Sequence, residues 1–258
     1  MILSLLRVAI LALCAVGVSC SRPLEHGRHC PMVNRTRAQE MVSSTDIPST
    51  NGKAWFQENW EPHIACMNER RIGRRGDGGK WVCDPACMLT ELARPCVVVS
   101  IGSNNDFSFE TGIVQLGCTV HTFDHTVAAP QTPPGVVFHS FGLGVGDEGD
   151  SSPLRSLDAL LALANISEVD VLKMDIEGAE YAVLHSQATL DTMRTRVRQL
   201  LVEFHFGWGA AQEGPVSWQR QTARALMDSG FVVFHKEPNI QYSDGSCIEY
   251  ALLNHNLI

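Results

Sequence analysis

Three carboxylates stand within six residues in the middle of the chain. Asp175, Glu177 and Glu180 occur where an apolar, strand-like run ends and residues at helical spacing begin. In an open parallel sheet, ligands bind outside the carboxyl ends of the strands, and Asp175 would lie there. A carboxylate in that place can accept the proton of a reacting hydroxyl. The same side chains could instead form a cap and a solvated first turn, because negative charge suits the amino end of a helix.

A second pair of candidate residues ends a later apolar run. Residues 197–204 are interpreted as a strand, and Glu203 and His205 lie at its carboxyl end. His205 is the preferred general base, with Glu177 and Glu203 as further candidates, because an unperturbed imidazole pKa of about 6.5 suits neutral pH. A single histidine at a strand end is more often structural. Asp175, Glu203 and His205 could jointly hold a divalent ion, but we favour a site without a metal.

A glycine turn earlier in the chain has the pattern of a nucleotide-binding turn. The apolar run 95–101 predicts a buried strand, Gly102 ends it, and residues 107–116 predict the helix that follows. The next strand, 119–123, ends at Asp124, about 20 positions beyond the glycine, where such folds bind ribose hydroxyls. The residues predicted to bind a nucleoside cofactor here are Ile101, Gly102, Ser103, Asn104 and Asp124.

The charge of this turn distinguishes between two kinds of cofactor. Asp106 occupies a position where many dinucleotide-binding folds have glycine, and a carboxylate is poorly placed beside a pyrophosphate. S-adenosyl-L-methionine has no phosphate and carries a positive sulfonium and an ammonium, which an acidic turn tolerates. The sequence therefore disfavours a nicotinamide dinucleotide. Asp106 could also cap the helix.

The remaining pattern predicts an α/β fold. Residues 135–140 predict a third strand, and the glycine-containing segment 141–146, which includes Leu143, would lie near an adenine ring or form a plain turn. The alternation of strands and helices matches a doubly wound sheet that finishes in a hairpin. The later predicted elements are a helix at 157–164, a strand at 170–175, a helix at 177–187, a strand at 197–204, a helix at 217–229 and strands at 231–235 and 248–253.

Several of these segments resemble known methyltransferase families. Residues 172–180 (LKMDIEGAE) resemble the signature of the FkbM-type S-adenosylmethionine-dependent methyltransferases. The chain is more similar still to the animal methyltransferase-like protein 24 group, from Cys66 to the C-terminus. The segments that carry this similarity are 76–83 (GDGGKWVC), 100–110 (SIGSNNDFSFE), 201–206 (LVEFHF), 230–235 (GFVVFH) and 247–250 (CIEY). The resemblance implies a seven-stranded Rossmann-like methyltransferase sheet with an antiparallel last strand.

The resemblance also implies a function. The expected cofactor is S-adenosyl-L-methionine, bound through the glycine turn, Leu143 and Asp175, and the expected reaction is methylation of oxygen on a carbohydrate or small molecule. Many methyltransferases have an acidic residue, which contacts the cofactor amine, where this chain has Ser100. A catalytically inactive secreted binding module on the same fold is therefore the alternative. A nicotinamide oxidoreductase is a third hypothesis, which Asp106 disfavours.

The N-terminus has the pattern of a secretory signal. Residues 1–20 combine Arg7 with an apolar run from Val8 to Val18 and small residues after it. A cleaved signal peptide is expected, with a signal anchor as the alternative, and no stable membrane span remains after cleavage. The sequons at Asn34 and Asn165 are weak support for the same pathway. The expected location is the secretory pathway, either secreted or in the ER or Golgi lumen.

A chain of 258 residues suits one domain with an appendage. The segment 21–94 is expected as an N-terminal extension with a helix at 54–67 and a Gly-rich loop at 70–80, and 95–258 as the methyltransferase domain. The net charge of −8 argues against a nucleic-acid partner, which needs a basic face. The expected partner is a small-molecule or glycan acceptor.

The cysteines predict that the extension is stapled by disulfides. In a secreted protein, Cys66 and Cys83 would pair because they flank the Gly-rich loop. Cys87 stands close enough to Cys83 to suggest zinc, but no second close pair completes a tetrahedral site. Cys96 and Cys118 lie in apolar, strand-like runs and are expected as buried thiols. The disulfide candidates are Cys30, Cys66, Cys83 and Cys87.

Overall fold

The computed structural model describes residues 55–56, 58–90, 92, 94–128, 130–146, 151–208, 217–242 and 244–258. The predicted signal segment, Cys30 and Asn34 lie outside these residues. Among the residues described, no helix is both long enough and apolar enough to cross a membrane.

Eleven strands and five α-helices make up this part of the chain. The strands are β1 (Glu69–Ile72), β2 (Lys80–Cys83), β3 (Val97–Ile101), β4 (Thr119–Phe123), β5 (Val136–His139), β6 (Gly142–Leu143), β7 (Leu154–Arg155), β8 (Val169–Met174), β9 (Val197–His205), β10 (Phe231–Pro238) and β11 (Cys247–Asn254). The helices are α1 (Ser108–Gln115), α2 (Leu157–Leu163), α3 (Glu180–Leu184), α4 (Gln187–Arg196) and α5 (Ser217–Asp228), with a π-helical turn at Ala86–Thr90.

Seven of the strands form one mixed sheet in the order β10-β11-β9-β8-β3-β4-β5. The pairs from β9 to β5 are all parallel, whereas β11 runs antiparallel to both β9 and β10. The predicted doubly wound seven-stranded sheet with an antiparallel last strand is confirmed. The carboxyl ends of β3, β4, β8 and β9 consequently share one edge of the sheet.

The two faces of the sheet differ in character. Val99, Leu172 and Leu200 are register partners on β3, β8 and β9 and belong to the apolar core. Successive side chains of a strand alternate between faces, so Ser100 and Lys173, one position further along, share the opposite face. That face is more polar, although both side chains are buried.

A hairpin of β1 and β2 contacts the polar face. The two strands pair antiparallel within the segment where the sequence predicts a loop, so the loop is confined to the Gly-rich turn between them. The side chain of Gln199 on β9 holds the hairpin: its Oε1 accepts from the Cys83 N–H at 3.0 Å, and its Nε2 donates to the Cys83 carbonyl at 3.1 Å.

The predicted helix at 54–67 is wrong in extent. Helical conformation is described for residues 55, 56 and 58, and Trp60 has a φ of 57°, which a continuing helix cannot accommodate. Pro62 disfavours helical backbone at the residue before it. The expected core packing is observed, since the Phe56 ring stacks on Phe204 at 4.8 Å.

The predicted helix at 177–187 is also wrong in its bounds. Glu177 and Gly178 have φ values of 54° and 97°, so these residues form a left-handed turn and α3 begins only at Glu180. α3 is short, and α4, which follows it at Gln187–Arg196, has few apolar residues and gave no helical signal in the sequence.

The disulfides agree with one prediction and overturn another. Cys66 pairs with Cys83, as the sequence predicts, and Cys87 is disulfide-bonded as well. Cys96 and Cys118 form a disulfide and are not free thiols. They directly precede the neighbouring parallel strands β3 and β4, and the Thr119 N–H donates to the Cys96 carbonyl at 2.9 Å. Strand pairing therefore brings the two sulfurs together.

Candidate active site

The glycine turn after β3 packs against the end of β8. Gly102 has a φ of 80°, and a Cβ at this position would lie 1.8 Å from the backbone oxygen of Asp175. The Asp175 N–H donates to the Ile101 carbonyl at 3.0 Å. Only glycine fits this approach, so the turn and the acidic segment after β8 form one unit.

Asp124 lies beside the glycine turn, but its oxygens already have protein partners. Oδ2 accepts from the backbone N–H groups of Ser103 and Asn104, at 2.8 and 3.0 Å, and from the Ser103 hydroxyl at 3.1 Å. Oδ1 accepts from the N–H and the hydroxyl of Thr126, at 2.9 and 2.7 Å. Burial alone would raise the pKa of Asp124, but these hydrogen bonds lower it to about 2. The carboxylate therefore organises the turn, and a ribose hydroxyl would have to displace one of these donors.

The other predicted cofactor residues differ in accessibility. Ile101 and Leu143 belong to the apolar core, so neither side chain faces solvent. Asn104 is exposed in the turn with a φ of 44°. Ser100 donates its hydroxyl to Oε1 of Glu110 at 2.5 Å. Glu110 is fully buried and its Oε2 has no partner among the described residues.

His205 is held between two sets of carboxylates. Its Nδ1 lies 3.0 Å from Oε1 of Glu180, and its Nε2 lies 3.8 Å from Asp175 and 3.5 Å from Glu177. Burial alone would lower the pKa of His205, but the hydrogen bond and charge of Glu180 and the other carboxylates raise it to about 9. The imidazole is thus protonated at neutral pH and must lose a proton before it can act as a base.

Glu180 fixes the orientation of that imidazole. Its Oε1 also accepts from the Ile176 N–H at 3.0 Å, and its Oε2 accepts from the Gly178 N–H at 2.9 Å. The side chain is fully buried, unlike the solvated first-turn carboxylate that the sequence suggested as an alternative. Glu180 was not among the predicted site residues, although its position in the acidic segment was a usable signal.

Glu177 is the accessible carboxylate of the group. Its side chain is 62% exposed, and its φ of 54° places it in the left-handed turn before α3. Partial burial raises the pKa of Glu177, against the opposing charge of His205. A carboxylate that is exposed, has a raised pKa and lies at a strand end has the properties of a general base.

Lys80 from β2 lies at the centre of the site, although the sequence pattern did not predict it as a site residue. Its side chain is 2% exposed, and Nζ lies 2.8 Å from Glu203, 2.8 Å from Glu249 and 3.3 Å from Asp175. Burial alone would lower the pKa of Lys80, but the three carboxylates raise it well above the usual value. The available signal was a single lysine at the point where the Gly-rich loop enters an apolar strand.

The carboxylates around Lys80 respond in different directions. Burial alone would raise the pKa of Asp175, but Lys80 and neighbouring cations lower it to about 2. Burial raises the pKa of Glu249 to about 7 in spite of Lys80. Oε1 of Glu203 accepts from Nδ2 of Asn239 at 2.9 Å, so this carboxylate has a second partner.

Within the part of the chain that the structure describes, two sets of side chains have metal-ligand atoms within 4.8 Å of one another. They are Asp175, Glu177 and His205, and Glu203, His205 and Cys247. The ligand set that the sequence suggests, Asp175, Glu203 and His205, is not among them. In the observed arrangement the Lys80 ammonium already provides the countercharge for Asp175 and Glu203.

The sheet order, the glycine turn and the strand-end carboxylates define a Rossmann-like methyltransferase fold. The chain belongs to a family of methyltransferase domains, because a family model described as "Methyltransferase domain" matches residues 27–254.

Individual relatives share only low sequence identity with this chain. A human protein described as "Probable methyltransferase-like protein 24" (Homo sapiens) is 26% identical over 157 residues, which cover 55% of this chain and 43% of that protein. The match thus spans less than half the length of that relative.

Among solved structures, the Methanococcus jannaschii fibrillarin pre-rRNA processing protein is 10% identical, with 81% of this chain and 86% of that chain covered and a TM-score of 0.42. The N-methyltransferase NodS from Bradyrhizobium japonicum, in complex with S-adenosyl-L-homocysteine, is 9% identical, with 62% and 78% covered and a TM-score of 0.38.

Proposed function

We propose that this protein is an S-adenosyl-L-methionine-dependent methyltransferase that methylates oxygen on a carbohydrate or small molecule in the secretory pathway. The observation that carries the proposal is the contact between the glycine turn and Asp175. The backbone oxygen of Asp175 abuts Gly102, while its carboxylate faces Nε2 of His205. A cofactor on the turn and a proton acceptor for the substrate would therefore be neighbours.

The charge of the site fits a cationic cofactor. When every group is ionised, the site has five carboxylates and three cations, and Lys173 joins it through its charge interaction with Asp175. An excess of negative charge attracts positively charged ligands and disfavours a pyrophosphate. The carboxylates are Asp175, Glu177, Glu180, Glu203 and Glu249, and the cations are Lys80, Lys173 and His205.

The residues divide the work of methyl transfer among them. When bound, S-adenosyl-L-methionine supplies a methyl group on a cationic sulfur, which an acceptor oxygen takes while sulfur keeps the bonding electron pair. The hydroxyl proton of the acceptor passes to Glu177, or to His205 once the imidazole is neutral. Lys80 holds Asp175 and Glu203 in place, and Glu180 fixes the imidazole, so alignment is built into the fold.

The cofactor part of the proposal can be tested by calorimetric titration with S-adenosylhomocysteine, S-adenosylmethionine and NAD. Wild-type protein should bind the first two and not NAD. Asp124→Asn should weaken S-adenosylhomocysteine binding by about 1.5–3 kcal/mol, the range for a hydrogen bond to a charged group. Asp228→Asn, an exposed residue at the end of α5, is the matched control. Unchanged affinity in folded Asp124→Asn protein would refute a role of Asp124 in the cofactor site.

A catalytically inactive binding module on the same fold is the second candidate. The saturated Asp124 carboxylate favours it, as does Ser100 at a position where many methyltransferases have an acidic residue. Under this alternative, S-adenosylhomocysteine binds weakly or not at all, and no methyl group is transferred to any acceptor.

The cellular location is part of the proposal. The disulfides Cys66–Cys83 and Cys96–Cys118 support an oxidising compartment, as does the signal pattern at residues 1–20. Microsomal import of the full chain, assayed by protease protection, tests it. The narrower assignment to the FkbM-type group rests on residues 172–180 and stays a prediction.

A further inference from the structure

An apolar rim lies beside His205. Trp208 follows β9, and its ring centroid lies 5.9 Å from that of His205. The Tyr242 ring meets Trp208 edge-on, with centroids 4.7 Å apart and planes at 89°. Ile240, two residues before Tyr242, is 79% exposed. Trp208, Ile240 and Tyr242 are called the acceptor rim below.

The loop that carries the rim is anchored to the candidate active site. Buried Asn239 donates from Nδ2 to Glu203, the same carboxylate that Lys80 contacts. The Tyr242 N–H donates to the Asn239 carbonyl at 3.0 Å, and the Phe206 N–H donates to the Ser246 carbonyl at 2.8 Å. These bonds fix the position of the rim relative to the strand-end carboxylates.

The rim differs from the other exposed apolar residues of the described chain. Met67, Val137, Val145 and Leu163 are exposed singly on separate segments, which is ordinary for a protein surface. Ile240 and Tyr242 are both exposed, and the Tyr242 ring contacts Trp208, whose own ring lies beside His205. An apolar surface with convergent polar groups is the usual composition of a small-molecule site.

The charges near the rim limit what can bind there. The exposed carboxylate of Glu177 lies 3.5 Å from Nε2 of His205, and that of Asp175 lies 3.8 Å from the same nitrogen. Carboxylates accept hydrogen bonds from hydroxyl groups but repel anions. A ring with a flat apolar face can lie on Trp208 or Tyr242, since aromatic faces attract the positively polarised hydrogens of C–H groups and ring edges.

We propose that the acceptor rim binds the methyl acceptor, and that this acceptor is an uncharged ring that carries hydroxyl groups. The inference rests on the proposed methyltransferase function and specifies its substrate class. A sugar and a phenol share this chemistry, and the experiment below distinguishes them.

Binding is measured by saturation-transfer difference NMR, with and without S-adenosylhomocysteine. The probes are methyl β-D-glucopyranoside, catechol and D-glucuronic acid, an anion of similar shape to the glucoside. Wild-type protein should bind the glucoside or catechol and should bind glucuronic acid at least about tenfold more weakly. Whichever neutral ring binds identifies the sugar or the phenol class.

The variants Trp208→Ala and Tyr242→Ala should each weaken ring binding by about tenfold, the scale of a lost aromatic contact, and Trp208→Phe should retain most of it. Leu163→Ala, an exposed apolar residue at the end of α2, is the matched control and should have no effect. Calorimetry should give the same S-adenosylhomocysteine affinity for all variants.

The inference is overturned if neither neutral ring binds, if glucuronic acid binds as tightly as the glucoside, or if both alanine variants bind like wild type. Failure of the wild-type protein to bind S-adenosylhomocysteine is a separate result, and it overturns the proposed function. The NMR measurement without cofactor still tests ring binding at the acceptor rim.

Discussion

Lys80→Met should reveal how strongly the hairpin is coupled to the candidate active site. Methionine keeps most of the volume and the apolar stem of lysine but removes the ammonium. The three carboxylates that contact Nζ would lose it together. Glu203 would keep Asn239 as a partner. Glu249 has no hydrogen-bond or ion-pair partner other than Lys80 among the described residues.

The expected cost follows from this geometry. Removing one member of a buried ion pair destabilises a protein by about 3–5 kcal/mol, because the remaining charge has no compensation. Typical domains unfold with about 5–15 kcal/mol, so the variant should fold but with a large loss of stability. Glu249 can relieve part of the cost by taking up a proton.

The destabilisation caused by Lys80→Met should depend on pH in a definite direction. In the wild-type protein the pKa of Glu249 is about 7, so the stability that this group gains by protonation is present at low pH and is lost as the pH rises to 7. Without Lys80 its pKa rises further, and the loss continues above pH 7. The destabilisation should therefore be larger at pH 8.5 than at pH 6 by up to about 2 kcal/mol, at about 1.4 kcal/mol per pH unit.

Urea unfolding of the oxidised protein at both pH values measures this difference. Arg75→Met, an exposed cation on the same hairpin, is the control and should cost less than about 0.5 kcal/mol. Adding Glu249→Gln to Lys80→Met should recover part of the stability. A cost below about 1 kcal/mol at pH 8.5, or an equal cost at both pH values, would refute the reasoning.

Two further predictions concern His205 and the second disulfide. The pKa of His205 is raised to about 9, so its contribution to the free energy of unfolding is complete below about pH 6.5 and is lost as the pH rises to 9. Urea unfolding should show a loss on the order of 3 kcal/mol between pH 6.5 and pH 9, and His205→Gln should remove it. An unchanged pH dependence in the variant would contradict the assignment. Replacing Cys96 and Cys118 by alanine should cost about 3 kcal/mol, and alkylation of both cysteines without reductant would show that the disulfide does not form.

The chemistry that lies within one strand–turn–helix unit could be predicted from the sequence. Gly102, Asp124 and Asp175 are at the strand ends expected from periodicity and turn residues. Periodicity does not predict which hydrogen bonds each side chain forms. Asp124 is at the expected place, yet its lone pairs are directed at the turn itself.

The remaining features depend on contacts between distant parts of the chain. Lys80 meets Glu203 and Glu249 across 123 and 169 residues of sequence, and no local pattern encodes such a pairing. The apolar runs around Cys96 and Cys118 predict buried thiols, and this prediction is wrong. The parallel pairing of β3 with β4 is a long-range property as well, and it brings the two sulfurs within bonding distance.

These long-range contacts join residues on the two sides of the domain boundary predicted at residue 95. The first strand of the seven-stranded sheet is β3, which begins at Val97, and the boundary at residue 95 stays a prediction. The hairpin before it nevertheless supplies the ammonium for Asp175, Glu203 and Glu249. It also pairs with the side chain of Gln199. A protein that started at residue 95 would retain the sheet sequence but would leave Asp175, Glu203 and Glu249 without the cation that they share. The extension is therefore part of the electrostatic structure of the site.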